Sequence, residues 1–508
     1  MRREANRRTG QWICAILLMT AALSAGVLPA QAATVVVANP GEPPTLDPNI
    51  TFNGYSFVIT NQVAETLVSK DDEGFQPRLA THWEAVDDRT WRFTLRQGVQ
   101  FHDGTPFDAQ AVKFTLERIL DPATQARGRF VVSMIEEVRV IDSHTVEIVT
   151  SYPFAPLLAH LAHPVTAIVS PAAVERYGDD FGRHPVGTGP FVFESWQSGD
   201  QVVLRRNPDY WGGAPEIDTL IIRTIPEPTT QIVELRSGAV DIIFNVPADQ
   251  IADLAGQPGI AVHKALGWGS TFLGFNVTRG PLADARVRRA IAYALDREAM
   301  ATQLMQGMAV PAAGMVPETV WGAVELEPYE YDLEKARQLL AEAGYPGGFR
   351  TSLVAFESAE LRLMAEAIQF QLEQVGIQVD VQVTDYGAYV GLVSQEDREG
   401  MYLTTWGTVT LDADYTLYAL LHSSQIPDNN ISFYRNPRVD QLLDEARQQP
   451  DPAARMAAYR EVAEIVHEEL PILTLYYPLF SYAKRDRIEG EVINFSWINL
   501  NLTGARVK

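Results

Sequence analysis

The chain has 508 residues, 46% of them apolar and 21% charged, a composition typical of a folded globular protein. It is too long for one hydrophobic core, so we expect two or three lobes. The formal net charge of −23 disfavours nucleic acid and anionic membranes as partners. It does not define the ligand, because a pocket can differ in sign from the whole surface.

The first 32 residues have the pattern of a signal peptide. Four arginines precede residue 9, an apolar run covers 12–28, and Ala30-Gln31-Ala32 matches a small-x-small cleavage site. A retained membrane anchor is the alternative. No later stretch approaches the roughly 18 apolar residues of a membrane helix. We therefore expect an exported, soluble protein of net charge −26, since the segment carries four arginines and one glutamate.

Cys14 is the one cysteine of the sequence, and it precedes the apolar run. A lipoprotein needs its cysteine after that run, at the cleavage site. We therefore expect a mature protein with no lipid anchor, no disulfide and no thiol chemistry, which suits an oxidising compartment.

The first part of the mature chain is rich in strands. Apolar patterning predicts strands at 34–38, 90–95 and 145–149 and an amphipathic helix at 55–70. Another helix is predicted at 108–117, with Asp108 as its N-cap.

The stretch 185–213 predicts a hairpin followed by an aromatic loop. Strands at 191–193 and 201–204 flank a turn at 198–200, and the loop Asn207–Gly213 carries two large aromatic side chains. Gly187-Thr188-Gly189 precedes a proline and a strand rather than a helix, which excludes a phosphate-binding loop.

From residue 220 onward, strands and helices alternate, which is typical of α/β lobes. The strongest unit is a strand–helix–strand pattern at 352–356, 360–375 and 377–383. The other predicted strands are 220–222, 240–244, 401–406 and 472–477, and the other predicted helices are 229–237, 284–300, 332–343, 438–448 and 453–469.

Six stretches of the mature chain carry a further signal, and they are 43–48, 98–107, 185–190, 207–212, 287–297 and 343–349. Together and in this order, they resemble the extracellular solute-binding family 5, the peptide-, nickel- and glutathione-binding proteins of ABC importers. The run 161–173 and the run 405–415 are most similar to the glutathione-binding branch.

The resemblance implies an α/β, two-lobed periplasmic binding protein fold of type II, cluster C, with an extra subdomain inserted in lobe I. Two crossing strands join the lobes, which close on a ligand, and a membrane permease recognises the closed form. The implied ranges are 1–32 for the signal peptide, 33–51, 183–275 and 480–508 for lobe I, 52–182 for the insert, and 276–479 for lobe II.

The resemblance also implies where a ligand binds. In the dipeptide- and oligopeptide-binding members, an aspartate three residues beyond a lobe II tryptophan pairs with the ligand ammonium. Trp406 matches that tryptophan, but Val409 occupies the aspartate position, and Asp412 and Asp414 are candidate replacements. Ala355 occupies the position of a carboxylate-binding arginine. The missing charges argue against a plain dipeptide ligand.

Five further residues are candidates for the site. The backbone of Gly407 and Thr408 offers amides to an extended ligand. Trp268 and Tyr477 match aromatic positions that line the family's site, with core packing as the alternative for both. Arg129, in the basic run 126–129, is a candidate for a ligand carboxylate, with a solvated loop as the alternative.

The remaining motifs favour structural roles. His160 and His163 have a spacing compatible with a metal, but the match of 163–164 to the family favours packing. No nucleophile elbow or zinc-protease helix occurs in the sequence, so we expect no catalytic residue, no metal and no cofactor.

The leading interpretation is a monomeric periplasmic substrate-binding protein that delivers glutathione or a modified peptide to an ABC permease. One alternative is a member of the same family that binds an opine, a metal chelate or an oligosaccharide. Others are an exported hydrolase of peptide-like substrates, or a chaperone or signalling protein of this family.

Overall fold

The computed structural model describes residues 33–71, 73–490, 492–494 and 499–508. The predicted signal peptide and Cys14 lie outside the described residues. Within these ranges, no helix combines the length and apolar character needed to cross a membrane.

Twenty-two strands occur in the described residues. They are β1 (Thr34–Asn39), β2 (Val68–Asp71), β3 (Gly74–Pro77), β4 (Ala80–Ala85), β5 (Thr90–Leu95), β6 (Ile135–Asp142), β7 (Thr145–Thr150), β8 (Phe191–Gln197), β9 (Gln201–Arg206), β10 (Thr219–Thr224), β11 (Ile242–Phe244), β12 (Ile260–Leu266), β13 (Gly269–Phe275), β14 (Ala309–Pro311), β15 (Arg350–Phe356), β16 (Gln378–Thr384), β17 (Met401–Gly407), β18 (Ile472–Arg485), β19 (Ile488–Glu489), β20 (Ile493–Asn494), β21 (Asn499–Leu500) and β22 (Arg506–Val507).

Fourteen α-helices lie between the described strands. They are α1 (Gly54–Val63), α2 (Ala109–Leu120), α3 (Leu157–Leu161), α4 (Pro171–Tyr177), α5 (Pro228–Ser237), α6 (Ala248–Ala255), α7 (Ala285–Ala294), α8 (Arg297–Ala299), α9 (Leu333–Glu342), α10 (Ala359–Glu373), α11 (Tyr386–Val393), α12 (Ala413–Leu421), α13 (Pro437–Gln448) and α14 (Pro452–Glu469). Short 3-10 or π-helical segments lie at Pro122–Thr124, Arg129–Val131, Pro164–Thr166, Gly178–Arg183, Pro281–Ala283, Met300–Leu304 and Ser423–Gln425.

One twelve-stranded sheet runs through both lobes in the order β16-β15-β17-β13-β18-β11-β1-β10-β9-β8, and β12 and β14 also pair with β18. In lobe I, β1 is parallel to β10 and β11, and β8 and β9 form the predicted hairpin. In lobe II, β15 is parallel to β16 and β17. The α/β class predicted from the sequence is confirmed.

The lobes are joined where β18 passes from one to the other. Its residues Leu479–Arg485 pair with β12 of lobe I, and its residues Ile472–Tyr476 pair with β13 of lobe II. The chain also crosses at Gly267-Trp268, between β12 and β13. Gly267 is required there, because a Cβ would clash with the Phe480 ring. Strand β13 pairs with β17, which lies beside β15 of lobe II. This crossing therefore comes before residue 275, after which the sequence predicts the lobe boundary.

The inserted region has its own core, built on the four-stranded sheet β4-β5-β7-β6 and the helix α2. That core begins at Leu67. The helix predicted over 55–70 is shorter in the structure, because Ala64 is extended and the chain continues into β2. Helix α1 packs instead with lobe I, where Val58 and Ile59 share a core with Phe191.

The predicted helix over 284–300 is also broken. Leu295 is extended, so α7 ends at Ala294. Asp296 then caps α8 through a bond from the Ala299 amide to its carboxylate.

The stretch 185–213 joins the insert to lobe I around Glu65. The Tyr210 hydroxyl donates to Glu65 Oε1 at 2.7 Å, and Thr188 and Trp211 donate to Oε2 at 2.9 and 2.8 Å. Burial raises the pKa of Glu65, while Arg78, 3.6 Å away, and these three donors lower it. Gly187 packs so closely on α1 that a Cβ would clash with a backbone carbonyl. This stretch is therefore structural.

Candidate functional site

A cavity of about 410 Å³ lies between the insert and lobe II. The insert lines it from the segments around α3 and the turn at 129–134, and lobe II lines it from the end of β17, α12 and α13. The lining residues are Phe130, Ser133, Met134, Tyr152, Phe154 and His160 from the insert, and Trp406, Asp414, Tyr415, Tyr418, Ala419, Gln425, Asn429 and Arg447 from lobe II.

Three aromatic rings form one wall of this cavity. Trp406, near the end of β17, lies 5.6 Å from Tyr415 between ring centroids. The ring centroid of Phe130, from the insert, lies 6.1 Å from that of Tyr415. Phe130 is 41% exposed, although it is a large apolar side chain. The wall therefore spans the two lobes and offers flat apolar surface to a ligand.

The turn after β17 holds Trp406 in place. Its indole N–H donates to the Thr416 hydroxyl at 3.0 Å, and Thr408 and Thr416 are hydrogen-bonded at 2.7 Å. The Thr408 amide donates to the Trp268 carbonyl at 3.1 Å, and the Val409 amide donates to the Gly407 carbonyl at 2.9 Å. The amides of Thr408 and Val409 therefore both have backbone acceptors.

Asp414 forms a buried ion pair on the cavity wall. Arg447 donates from Nε and Nη2 to its two oxygens at 3.1 and 2.9 Å. The side chains are 1% and 17% exposed. Burial lowers the pKa of Arg447, but the charge of Asp414 and its hydrogen bonds outweigh burial and raise it. The guanidinium carbon lies over the Tyr418 ring, 3.3 Å from its centroid.

Asp412 has a structural position behind the cavity wall. Its carboxylate caps α12 by accepting from the Asp414 amide at 3.0 Å, and it accepts from Arg455 at 2.8 Å. Both side chains are buried, and the pKa of Arg455 is raised because Asp412 outweighs the effect of burial. Neither residue lines the cavity.

The insert contributes a buried histidine to the opposite wall. His160 Nδ1 lies 2.7 Å from the Val131 carbonyl oxygen. A carbonyl can only accept, so Nδ1 carries the proton and Nε2 the lone pair. Burial lowers the pKa of His160, which keeps the ring neutral. Nε2 is buried and forms no hydrogen bond with any described residue.

The other candidates lie outside this cavity. Trp268 stacks on Phe480 at 5.3 Å and covers Gly407. The Tyr477 hydroxyl is bonded to the backbone of Gly314 and to the Val316 carbonyl. Arg129 is exposed and adjoins the cavity-lining Phe130, and Ala355 is fully buried in the lobe II core.

Contacts between the insert and lobe II surround the cavity. The Lys70 ammonium donates to the Leu411 carbonyl at 2.5 Å, and the Ala155 amide donates to the Arg447 carbonyl at 2.8 Å. Burial lowers the pKa of Lys70 to about 8, although Asp412 opposes this effect. Leu411 has φ of +55°, a conformation unusual for a residue with a Cβ. The turn 408–411 is therefore held from both lobes.

The predictions missed the residues that meet only through tertiary contacts. Arg447 lies within a correctly predicted helix, and nothing in its local sequence indicates that it pairs with Asp414. For His160, the sequence favours packing over metal binding, and neither role predicts a place on the cavity wall. Among the residues described, no cluster of three or more histidine, cysteine, aspartate or glutamate side chains is arranged to hold a metal ion.

Two α/β lobes joined by two crossing strands, with a cavity between them, are the architecture of ligand-enclosing binding proteins. The family model of the bacterial extracellular solute-binding proteins, family 5 (middle part), matches residues 74–428. The chain therefore belongs to the bacterial extracellular solute-binding proteins of family 5, which confirms the resemblance found in its motifs, and it is a solute-binding protein.

Its relatives include the glutathione-binding protein GsiB of Salmonella typhi, 34% identical over 478 residues, which cover 92% of this chain and 93% of GsiB. The periplasmic binding protein DppA of Helicobacter pylori, solved with the peptide STSA, is 29% identical with a TM-score of 0.76, over 93% of this chain and 98% of that one. HbpA2 of Haemophilus parasuis is 27% identical with a TM-score of 0.87, over 94% of this chain and 100% of that one.

Proposed function

We propose that this protein is the periplasmic substrate-binding component of an ABC importer, and that it captures glutathione or a similarly modified peptide between its lobes. The cavity between the insert and lobe II carries this proposal. Its volume of about 410 Å³ falls in the range of sites for small organic ligands. Its lining combines aromatic rings with a paired acid and base, which suits a compact polar solute.

The sequence around the cavity supports a modified peptide over an ordinary dipeptide. Val409 replaces the acid that dipeptide-binding members of the family use for the ligand ammonium. Asp412 lies behind the cavity wall, and Asp414 lines the cavity as an ion pair with Arg447. The relatives named as glutathione-binding proteins match nearly the whole chain, which supports a ligand of that class.

Ligand capture follows from the two crossings between the lobes. The connections at 267–268 and 477–479 are short, so the lobes rotate about them while the sheets on either side stay intact. A ligand that touches both Phe130 and Trp406 binds the closed arrangement better than the open one and shifts the population toward it. We propose that the membrane permease recognises this closed form.

In the proposed site, the residues predicted from the sequence have three different positions relative to the ligand. Trp406 and Asp414 contact it directly, and Arg129 lies at the rim, available to a ligand carboxylate. Gly407, Thr408, Val409, Trp268, Tyr477 and Asp412 support the turn and crossings behind them. The proposed lobe ranges are those predicted from the sequence, with the first crossing placed at 267–268.

Titration calorimetry of the purified mature protein tests this function. Glutathione, dialanine, an opine and a nickel–histidine chelate are titrated in parallel, and thermal unfolding is followed with each. A ligand at 100 times its Kd stabilises the protein by about 2.7 kcal/mol. We expect binding of glutathione at a 1:1 ratio with no product formed. Selective binding of another probe would assign a different cargo, and turnover would indicate a hydrolase.

Localisation and assembly belong to the same proposal. Cell fractionation is expected to release the processed protein from the periplasm, and light scattering is expected to show a monomer. Co-reconstitution with an ABC permease and its ATPase tests delivery, since the loaded protein should stimulate ATP hydrolysis more than the empty one.

A further inference from the structure

We propose that Arg447, Asp414 and His160 together bind the free amino-acid end of the ligand, its α-carboxylate and α-ammonium on one carbon. This inference rests on the proposed function and specifies which part of the cargo enters the cavity. It follows from the hydrogen-bonding capacity that these three side chains leave unused.

Arg447 has donors to spare and a fixed orientation. Asp414 accepts from its Nε and from one hydrogen of Nη2, and the Tyr152 hydroxyl also interacts with the guanidinium. A guanidinium has five N–H groups, so at least one remains for a ligand. Tyr418 covers one face of the guanidinium, and Phe154 lies 5.6 Å away. A ligand carboxylate at the remaining N–H meets a donor group that is already oriented, so little conformational freedom is lost on binding.

Two acceptors complement the ammonium group. Each oxygen of Asp414 accepts one hydrogen bond from Arg447 and retains a second acceptor position. His160 Nε2 carries a lone pair in the opposite wall of the same cavity and has no described partner. A buried acceptor without a donor is unfavourable in the empty protein, and a ligand N–H removes that penalty.

The charge balance of the site selects a zwitterion. Asp414 and Arg447 neutralise each other, and the His160 ring is neutral, so the three side chains carry no net charge. A group with one positive and one negative end can be paired here without leaving an uncompensated charge in the cavity. An ordinary peptide separates these charges at its two ends, whereas the γ-linked glutamyl group of glutathione keeps them on one carbon.

Modified glutathiones test the subsite without altering the protein. The probes are glutathione, N-acetylglutathione, glutathione amidated at the glutamyl α-carboxylate, and glutathione amidated at the glycyl carboxylate as the matched control. We expect each of the first two modifications to weaken binding about tenfold to hundredfold, the effect of losing a charge-assisted hydrogen bond. The glycyl amide should lose clearly less affinity.

The outcomes separate the two proposals. If glutathione and N-acetylglutathione bind equally well, glutathione remains the proposed ligand, but the assignment of Arg447, Asp414 and His160 to its amino-acid end is overturned. A loss confined to the glycyl amide would also overturn it, because the other end of the ligand would occupy the cavity. If no glutathione probe binds, the proposed cargo is wrong and the subsite fails with it.

Two protein variants locate the contacts. Arg447→Lys keeps the positive charge but removes the paired N–H donors of the guanidinium. It should weaken the binding of glutathione about tenfold without further weakening the binding of the α-amide probe. His160→Asn retains a donor for the Val131 carbonyl and deletes the Nε2 acceptor, so it should affect glutathione but not N-acetylglutathione. Arg438→Lys is the control, because that arginine lies exposed on the same helix. Equal losses for all probes would contradict the assignment.

Discussion

Tyr210→Phe tests whether the 185–213 stretch anchors the insert through Glu65. The substitution removes one hydroxyl and leaves the ring, which packs 5.3 Å from Trp211. Glu65 Oε1 then loses its hydrogen-bond donor and keeps Arg78 at 3.6 Å, while Oε2 keeps Thr188 and Trp211. Both partners of the lost bond are buried at 6% exposure.

A hydrogen bond to a charged group contributes about 1.5–3 kcal/mol, and a buried acceptor left without a donor lies in the upper part of that range. We therefore expect the free energy of unfolding to fall by about 2–3 kcal/mol at pH 7. Deleting a donor also raises the pKa of Glu65 further. The deficit should then shrink as the pH falls and the carboxylate is protonated.

Urea unfolding followed by both circular dichroism and tryptophan fluorescence measures this change. Coincident curves establish a single transition, and an unchanged m-value assigns the difference to stability. Tyr386→Phe is the matched control, since Tyr386 is 65% exposed and its substitution should cost under about 0.5 kcal/mol. A loss below about 1 kcal/mol for Tyr210→Phe, or a deficit that grows at low pH, would refute the assigned role.

Three further predictions concern the junction of the lobes. Trp406→Ala should weaken ligand binding in calorimetry while the circular dichroism spectrum stays native, and loss of the fold would instead make Trp406 a core residue. Arg455→Ala leaves Asp412 buried and unpaired, so urea unfolding should show a loss of about 3–5 kcal/mol; a loss under 1 kcal/mol, typical of a surface pair, would contradict the buried pairing. Lys70 has a pKa of about 8 in the folded protein, below its ordinary value of 10.5, so the folded state binds this proton more weakly than the unfolded chain. The stability of the wild type relative to Lys70→Gln should therefore rise from about pH 8 to pH 10.5, and a flat difference would show that Lys70 is solvated.

Local patterns predicted most of the elements because the forces that form them act over a few residues. Asp108 accepts from the amides of Gln110 and Ala111, as an N-cap does, and Asp332 caps α9 in the same way. The βαβ unit of β15, α10 and β16 follows directly from apolar periodicity.

The predictions that were wrong fall where tertiary contacts override local preference. Helical spacing continued past Val63, but the chain leaves α1 there because the Glu65 carboxylate is bound by side chains more than 120 residues away. The position of the lobe boundary, predicted after residue 275, also depends on a tertiary contact. The partner of β13 is β17, and such pairing cannot be read from either strand alone.

The sequence by itself determined the family and the class of fold, since motifs and residue identities are local properties. Its resemblance to the family also predicts that Val409 replaces the usual ammonium-binding acid. Only the tertiary structure decided what Asp412 and Asp414 do. The arginines that pair with them lie 43 and 33 residues further along the chain. Burial makes those pairings obligatory, because a carboxylate removed from water requires a nearby cation. One acid therefore stabilises the turn behind the site, and the other, beside Arg447, lines the cavity where we propose that the ligand binds.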